Sequence, residues 1–176
     1  MTWGALLSAM VGAIIALGGT LLADTRRDSQ QRGRDLRQDR RKQCVDFVIA
    51  LGEALGGLRG AALVRDDGER RAAAAEAMTP VYPAREQLLV TATAAELLAG
   101  ETAFHRLVAV RDAVRAGATL ASAEYHDAYH PLAEALWGFR LTIRADLGQP
   151  KLAPDLLGRP DWTDRDRCDV CQARAA

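Results

Sequence analysis

Apolar positions fall into three regimes along the 176 residues of the chain. From Trp3 to Ala23 it reads WGALLSAMVGAIIALGGTLLA, with no charge anywhere. A run of about 21 residues, at ~1.5 Å rise each, makes a helix roughly 30 Å long, the thickness of a bilayer core. Ser8 and Thr20 are polar, and both hydroxyls can bond back to a helix carbonyl. Glycines that weaken a helix in water are tolerated in lipid, where the backbone has no alternative partner. Residues 1–23 therefore read as a transmembrane anchor. A cleavable signal peptide fits less well. No basic stretch leads into the run, and Leu21-Leu22-Ala23 puts a large residue where cleavage wants a small one.

The second regime, residues 24–43, has almost no apolar rhythm. Between Gly33 and Gln43 only Leu36 interrupts the polar residues. As a helix it has no face to bury, so it reads as a solvated neck supported by pairs such as Asp28 with Arg32.

The third regime begins at Cys44. Cys44, Phe47 or Val48, Leu51, Leu55, Leu58 and Ala62 step by three and four, predicting one amphipathic helix that ends at the turn Asp66-Asp67-Gly68. A second helix is predicted from Glu69, broken or kinked by Pro80 and Pro83 and resuming from Ala84 through Leu88, Leu89, Ala92, Ala95 and Leu98. Gly100 reads as its C-terminal stop. A third helix is expected over 101–116, with Phe104, Leu107, Val108, Val110 and Val114 apolar and Gly117 ending it. The fourth follows Thr119. Its stripe is Tyr125, Tyr129, Leu132, Leu136, Phe139, Ile143 and Leu147, with Pro131 as an expected kink and Gly148 as the stop. Short connections make consecutive helices antiparallel neighbours, so residues 44–148 predict an up-and-down bundle of about four helices. Residues 149–176 carry Pro150, Pro154 and Pro160 among balanced charges. They read as an extended or partly disordered tail, strapped to the bundle by Leu152, Leu156, Leu157 and Trp162.

Composition agrees with an all-α chain. Hydrophobic residues are 49% while aromatics are only 5%, which disfavours sheet. The roughly 130 residues beyond the neck suffice for one core.

Charge sets an orientation. Between Asp24 and Lys42 eight basic residues stand against four acidic ones, a local net of +4 in a chain of net charge +0. Short basic flanks stay on the cytoplasmic side, so the N-terminus is expected outside and the bulk of the chain in the cytoplasm, at the cell membrane. Arg26, Arg27, Arg32 and Arg34 are placed to meet anionic lipid headgroups. No nucleic-acid partner is expected, because the basic collar has no aromatic residues for stacking and no recognisable binding motif. Within the anchor, Gly4, Ser8, Gly12 and Ala16 recur every four residues. Such a stripe lets two helices approach closely, and predicts a homo-oligomer or pairing with another membrane protein.

Two short motifs carry candidate chemistry. In EYHDAYH, His126 and His130 lie four apart and share one helix face, a spacing that suits a metal ion. H-D-x-x-H is one residue from the zincin pattern, with Asp127 in the place of the glutamate base and Glu134 or His105 as a third ligand. In CDVC, Cys168 and Cys171 supply half a structural zinc site, to be completed by histidines of the bundle or by a second chain's pair. Neither pair reaches a full ligand set in sequence. The plainer expectation is no bound metal: two histidines beside a tyrosine stripe, and a reduced thiol pair in a mobile tail. Cys44 reads as a small core residue. No phosphate loop, dinucleotide fingerprint or serine-hydrolase elbow occurs, so no cofactor is expected.

The sequence therefore favours a non-enzymatic, single-pass membrane-anchored interaction protein. The alternatives are a membrane-tethered metal-dependent enzyme built on His126 and His130, and a small accessory subunit of a membrane complex.

Overall fold

The computed structural model describes the backbone of residues 3–163, 165 and 168–175, and within that range the side chains from residue 31 onward apart from 32 and 175. The chain is all-helical. It comprises α1 (Trp3–Ala61), α2 (Asp67–Ala77), α3 (Val81–Thr91), α4 (Ala94–Arg115), α5 (Ala123–Asp146), a 3-10 turn over Pro154–Leu157, and α6 (Asp169–Ala175). No strand occurs among the described residues.

Two compact units divide the chain, Met1–Asp39 and Arg40–Ala176. In the first, the side chains of the Trp3–Ala23 run, of the Gly4–Ser8–Gly12–Ala16 stripe and of Arg26, Arg27 and Arg32 lie outside the described residues. Among the described residues no helix is long and apolar enough to cross a membrane. From Arg34 to Asp39 every side chain is exposed, as a helix with no apolar stripe requires.

In the second unit the core follows the apolar periodicity. Cys44, Phe47, Leu51 and Leu58 of α1 are fully buried with Leu107, Val110 and Val114 of α4 and Leu132 and Phe139 of α5. Contact pairs give the helix directions. Arg40 meets Asp146 at 2.6 Å, Phe47 stacks edge-on to Phe139, and the Arg59 Nε–H reaches the Tyr125 hydroxyl at 3.4 Å, so α1 and α5 run antiparallel. Arg85 grips Glu101 with two bonds of 2.7 and 2.6 Å while Tyr82 meets Phe104, which makes α3 antiparallel to α4. The Arg70 Nε–H donates to the Val114 carbonyl at 3.1 Å, setting α2 beside the far end of α4.

The main departure from the sequence reading lies between Pro80 and Gly100. Pro80 caps α3, which starts at Val81 and stops at Thr91. Thr93 then opens α4 through a capping box, its hydroxyl accepting from the Glu96 N–H while the Glu96 carboxylate accepts from the Thr93 N–H at 2.9 Å. Gly100 is no helix stop. It is a buried position inside α4, where an added Cβ would stand 2.6 Å from Leu88 and 3.4 Å from both Phe47 and Phe139. The break at Thr93 also resets the helical phase, so Leu98 is 72% exposed instead of continuing the Leu88 stripe.

Gly117 and Gly148 do end their helices. Both have positive φ, and the following N–H bonds back to Ala113 and Arg144 respectively, closing Schellman turns. α5 runs unbroken through Pro131, so the helix does not end or restart there. The tail holds the 3-10 turn and α6, and it meets the bundle through Trp162, stacked on Trp137 with ring centroids 4.4 Å apart. Leu156 and Leu157 are exposed and do not strap it.

Candidate metal centre

The helical repeat of α5 sets one half of the site. Ser122 caps the helix by accepting from the Tyr125 N–H at 3.3 Å, and the next turns project His126 and His130 from one face. Their rings lie 5.6 Å apart. His130 is 2% exposed.

The tail sets the other half. The Asp161 carboxylate accepts from both the backbone N–H and the hydroxyl of Thr163, at 2.7 and 2.9 Å, and so fixes a tight turn. That turn presents the Thr163 carbonyl to His130 Nδ1 at 2.7 Å. Beyond it, buried Cys168 sits immediately before α6 and half-buried Cys171 lies within it. A spacing of three puts both thiols on one side of the turn. Arg174 pairs with Asp127 of α5 at 3.0 Å and holds the end of α6 against the bundle.

The two halves meet. His126, His130, Cys168 and Cys171 each place one donor atom so that all four lie within 4.8 Å of one another. Cys168 Sγ is 3.1 Å from His126 Nδ1.

Proton positions on the imidazoles follow from their carbonyl partners. His126 Nε2 faces the Leu120 carbonyl at 2.9 Å, and His130 Nδ1 faces that of Thr163. A carbonyl oxygen only accepts, so each facing nitrogen carries the proton. The lone pairs then belong to His126 Nδ1 and His130 Nε2. The latter is buried and has no hydrogen-bond partner among the described residues. Desolvation, and after it the hydrogen bond with Cys168, hold the Cys171 thiol above its ordinary pKa.

The other sequence candidates stand apart from this cluster. His105 is exposed and lies beside Glu101 at 3.9 Å. Glu134 is exposed. Asp127, in the position of the zincin base, is engaged by Arg174. Cys44 is fully buried in the core, its thiol pushed up to about 12, first by burial and then by the neighbouring Glu96 carboxylate. Sequence reasoning did not find the two carbonyl partners, Leu120 and Thr163. Backbone groups carry no side-chain signal, although the D-x-T turn at Asp161 was readable.

No protein-family model matches the chain, no curated protein matches it, and no solved structure matches it.

Proposed function

We propose that this chain is a single-pass membrane protein whose cytoplasmic helical bundle holds a partner, or a second copy of itself, at the membrane. One observation carries the reading. The uncharged Trp3–Ala23 run is followed directly by a basic collar, and the buried core of the bundle begins only at Cys44. The basic collar after the run supports an outside N-terminus and a cytoplasmic bundle. Arg26, Arg27, Arg32 and Arg34 supply the charge for anionic headgroups, and Gly4, Ser8, Gly12 and Ala16 a surface for a second membrane helix. The enzyme alternative gains little support. A hydrolytic metal needs an open position and a base, whereas here four side chains converge and Asp127 is paired.

A reporter fused after Ala176 tests the topology. It should read cytoplasmic, and replacing Arg26, Arg27, Arg32 and Arg34 with glutamine should weaken that preference. A wild-type reporter on the exterior side would overturn the orientation, and a full chain extracted by carbonate would overturn the anchor.

A further inference from the structure

We propose that His126, His130, Cys168 and Cys171 form a closed, tetrahedral Zn2+ site that pins the C-terminal tail to the bundle. Two thiolates and two imidazoles are an established structural zinc set, and the mixed soft and borderline donors favour Zn2+ over Mg2+ or Ca2+.

The geometry is within reach of the bound state. Zn–S bonds of about 2.3 Å and Zn–N bonds of about 2.0 Å place tetrahedral donors about 3.3 to 3.8 Å apart. The four donors already lie within 4.8 Å, so small side-chain rotations close the cage. The tautomers agree as well. A zinc-binding histidine donates its second ring N–H to a carboxylate or carbonyl, which orients the ring and raises its basicity. Both histidines here have that carbonyl, Leu120 for one and Thr163 for the other.

One further observation points to a cation at this place. Among the described residues, His130 Nε2 is a buried lone pair with no hydrogen-bond donor, and leaving such a group unpaired costs about 1–3 kcal/mol. A metal ion satisfies it without a proton. The charge balance also fits a partly buried place. Zn2+ with two thiolates and two neutral imidazoles is a neutral centre, whereas two thiolates alone would carry two uncompensated charges. With four protein ligands no position remains for water or substrate, so the site is structural. Its effect is mechanical, since the ligands come from α5 and from the chain around α6, roughly forty residues later.

The test uses the full chain, purified in detergent under reducing conditions and stripped of metal. Reconstitution with ZnCl2 should give about one bound zinc per chain. CoCl2 should give the intense visible bands of tetrahedral Co2+ together with a near-ultraviolet thiolate charge-transfer band. Cys171→Ser should reduce that band to about half and weaken zinc binding by more than the ~10–100-fold that loss of an outer partner costs. His130→Gln should abolish the tetrahedral visible bands. Cys44→Ala and His105→Gln should leave both metals bound. Failure to take up stoichiometric zinc, an octahedral cobalt spectrum, or a spectrum without the thiolate band would overturn the site. So would unchanged zinc affinity in Cys171→Ser. The cobalt spectrum is read on the wild-type chain, so it decides even if a variant fails to fold. A negative result leaves the membrane reading intact, since that reading depends on a reporter and not on metal.

Discussion

Neighbouring residues of one type can have opposite roles, and α1 offers a direct comparison. An alanine Cβ at Gly56 would meet nothing within 4 Å, whereas at Gly57 it would stand 2.7 Å from Ala77 Cβ and 3.4 Å from its Cα. Ala77 cannot rotate away, because its Cβ is fixed to the α2 backbone. Gly56→Ala should therefore stabilise the protein by about 0.5–1 kcal/mol through helix propensity. Gly57→Ala should destabilise it by about 1–3 kcal/mol through overpacking. Urea unfolding followed by circular dichroism measures both, and equal shifts would refute the close contact of α1 with α2. Gly52, Gly56 and Gly57 stand close together in the sequence, and any of them could allow a close helix approach. The sequence cannot show which one is used, because that depends on where α2 crosses.

Glu101 gives a pH prediction at the same scale. Its two bonds from Arg85 hold the carboxyl below the usual carboxylate pKa. A depressed folded pKa means stability that is present above the unfolded value and lost as pH falls through the folded one. Glu101→Gln should thus cost about 1 kcal/mol near pH 7 and nothing at an acid pH where wild-type Glu101 is protonated as well. Urea midpoints at the two pH values check it. A cost that persists in acid would mean that packing, not charge, is lost.

At the scale of elements, the Thr93–Glu96 capping box decides where α4 begins. The pattern T-A-A-E stands in the sequence, but Gly100 offered a stronger apparent stop a turn later. Gly100 is small for another reason, the crowding of Leu88, Phe47 and Phe139 around it. Glycine at a helix crossing and glycine at a helix end look alike until the neighbours are known. Glu96 is 2% exposed and also faces Arg40 of α1 at 3.5 Å, so the cap joins two elements. Thr93→Ala should cost about 1 kcal/mol, within the range for a lost N-cap, and should speed amide exchange in the first turn of α4 ahead of the rest of the helix. Uniform exchange across α4 would show that the box does not hold this end. The periodic stretches of α1, α4 and α5 were legible because one face of each is buried along its length. The split of the second rod into α2 and α3 was legible too, from Pro80. The onset of α4 was not, because a local cap competed with a tertiary glycine.

For the whole molecule, the candidate site was legible as two halves and not as one. His126 and His130 share a helix face by spacing alone, and Cys168 and Cys171 share a turn by spacing alone. Their union depends on the path of the tail, and proline-rich irregular chain has no period from which a path can be read. The path is set by contacts that are not metal ligands. Trp162 stacks on Trp137, Arg140 and Arg159 lie near the Trp137 ring, at 5.0 and 5.3 Å from its centroid, and the Asp161 turn aims Thr163 at His130. These contacts hold the thiol pair near the imidazoles, which raises its effective concentration there. Trp162→Ala removes an aromatic pair worth about 0.5–1.5 kcal/mol beyond its buried area, so zinc affinity should fall by roughly 10-fold although no ligand is altered. Coupling between two binding events is reciprocal. Stripping the metal from the wild-type chain should therefore loosen the strap and speed tryptic cleavage after Lys151 and Arg165. Cleavage within α5 should stay slow, because its core positions are buried independently of the tail. Proteolysis of the full chain with and without zinc, followed by mass spectrometry, makes the comparison. Tail cleavage at the same rate in both states would separate metal binding from tail docking and remove the mechanical role of the site.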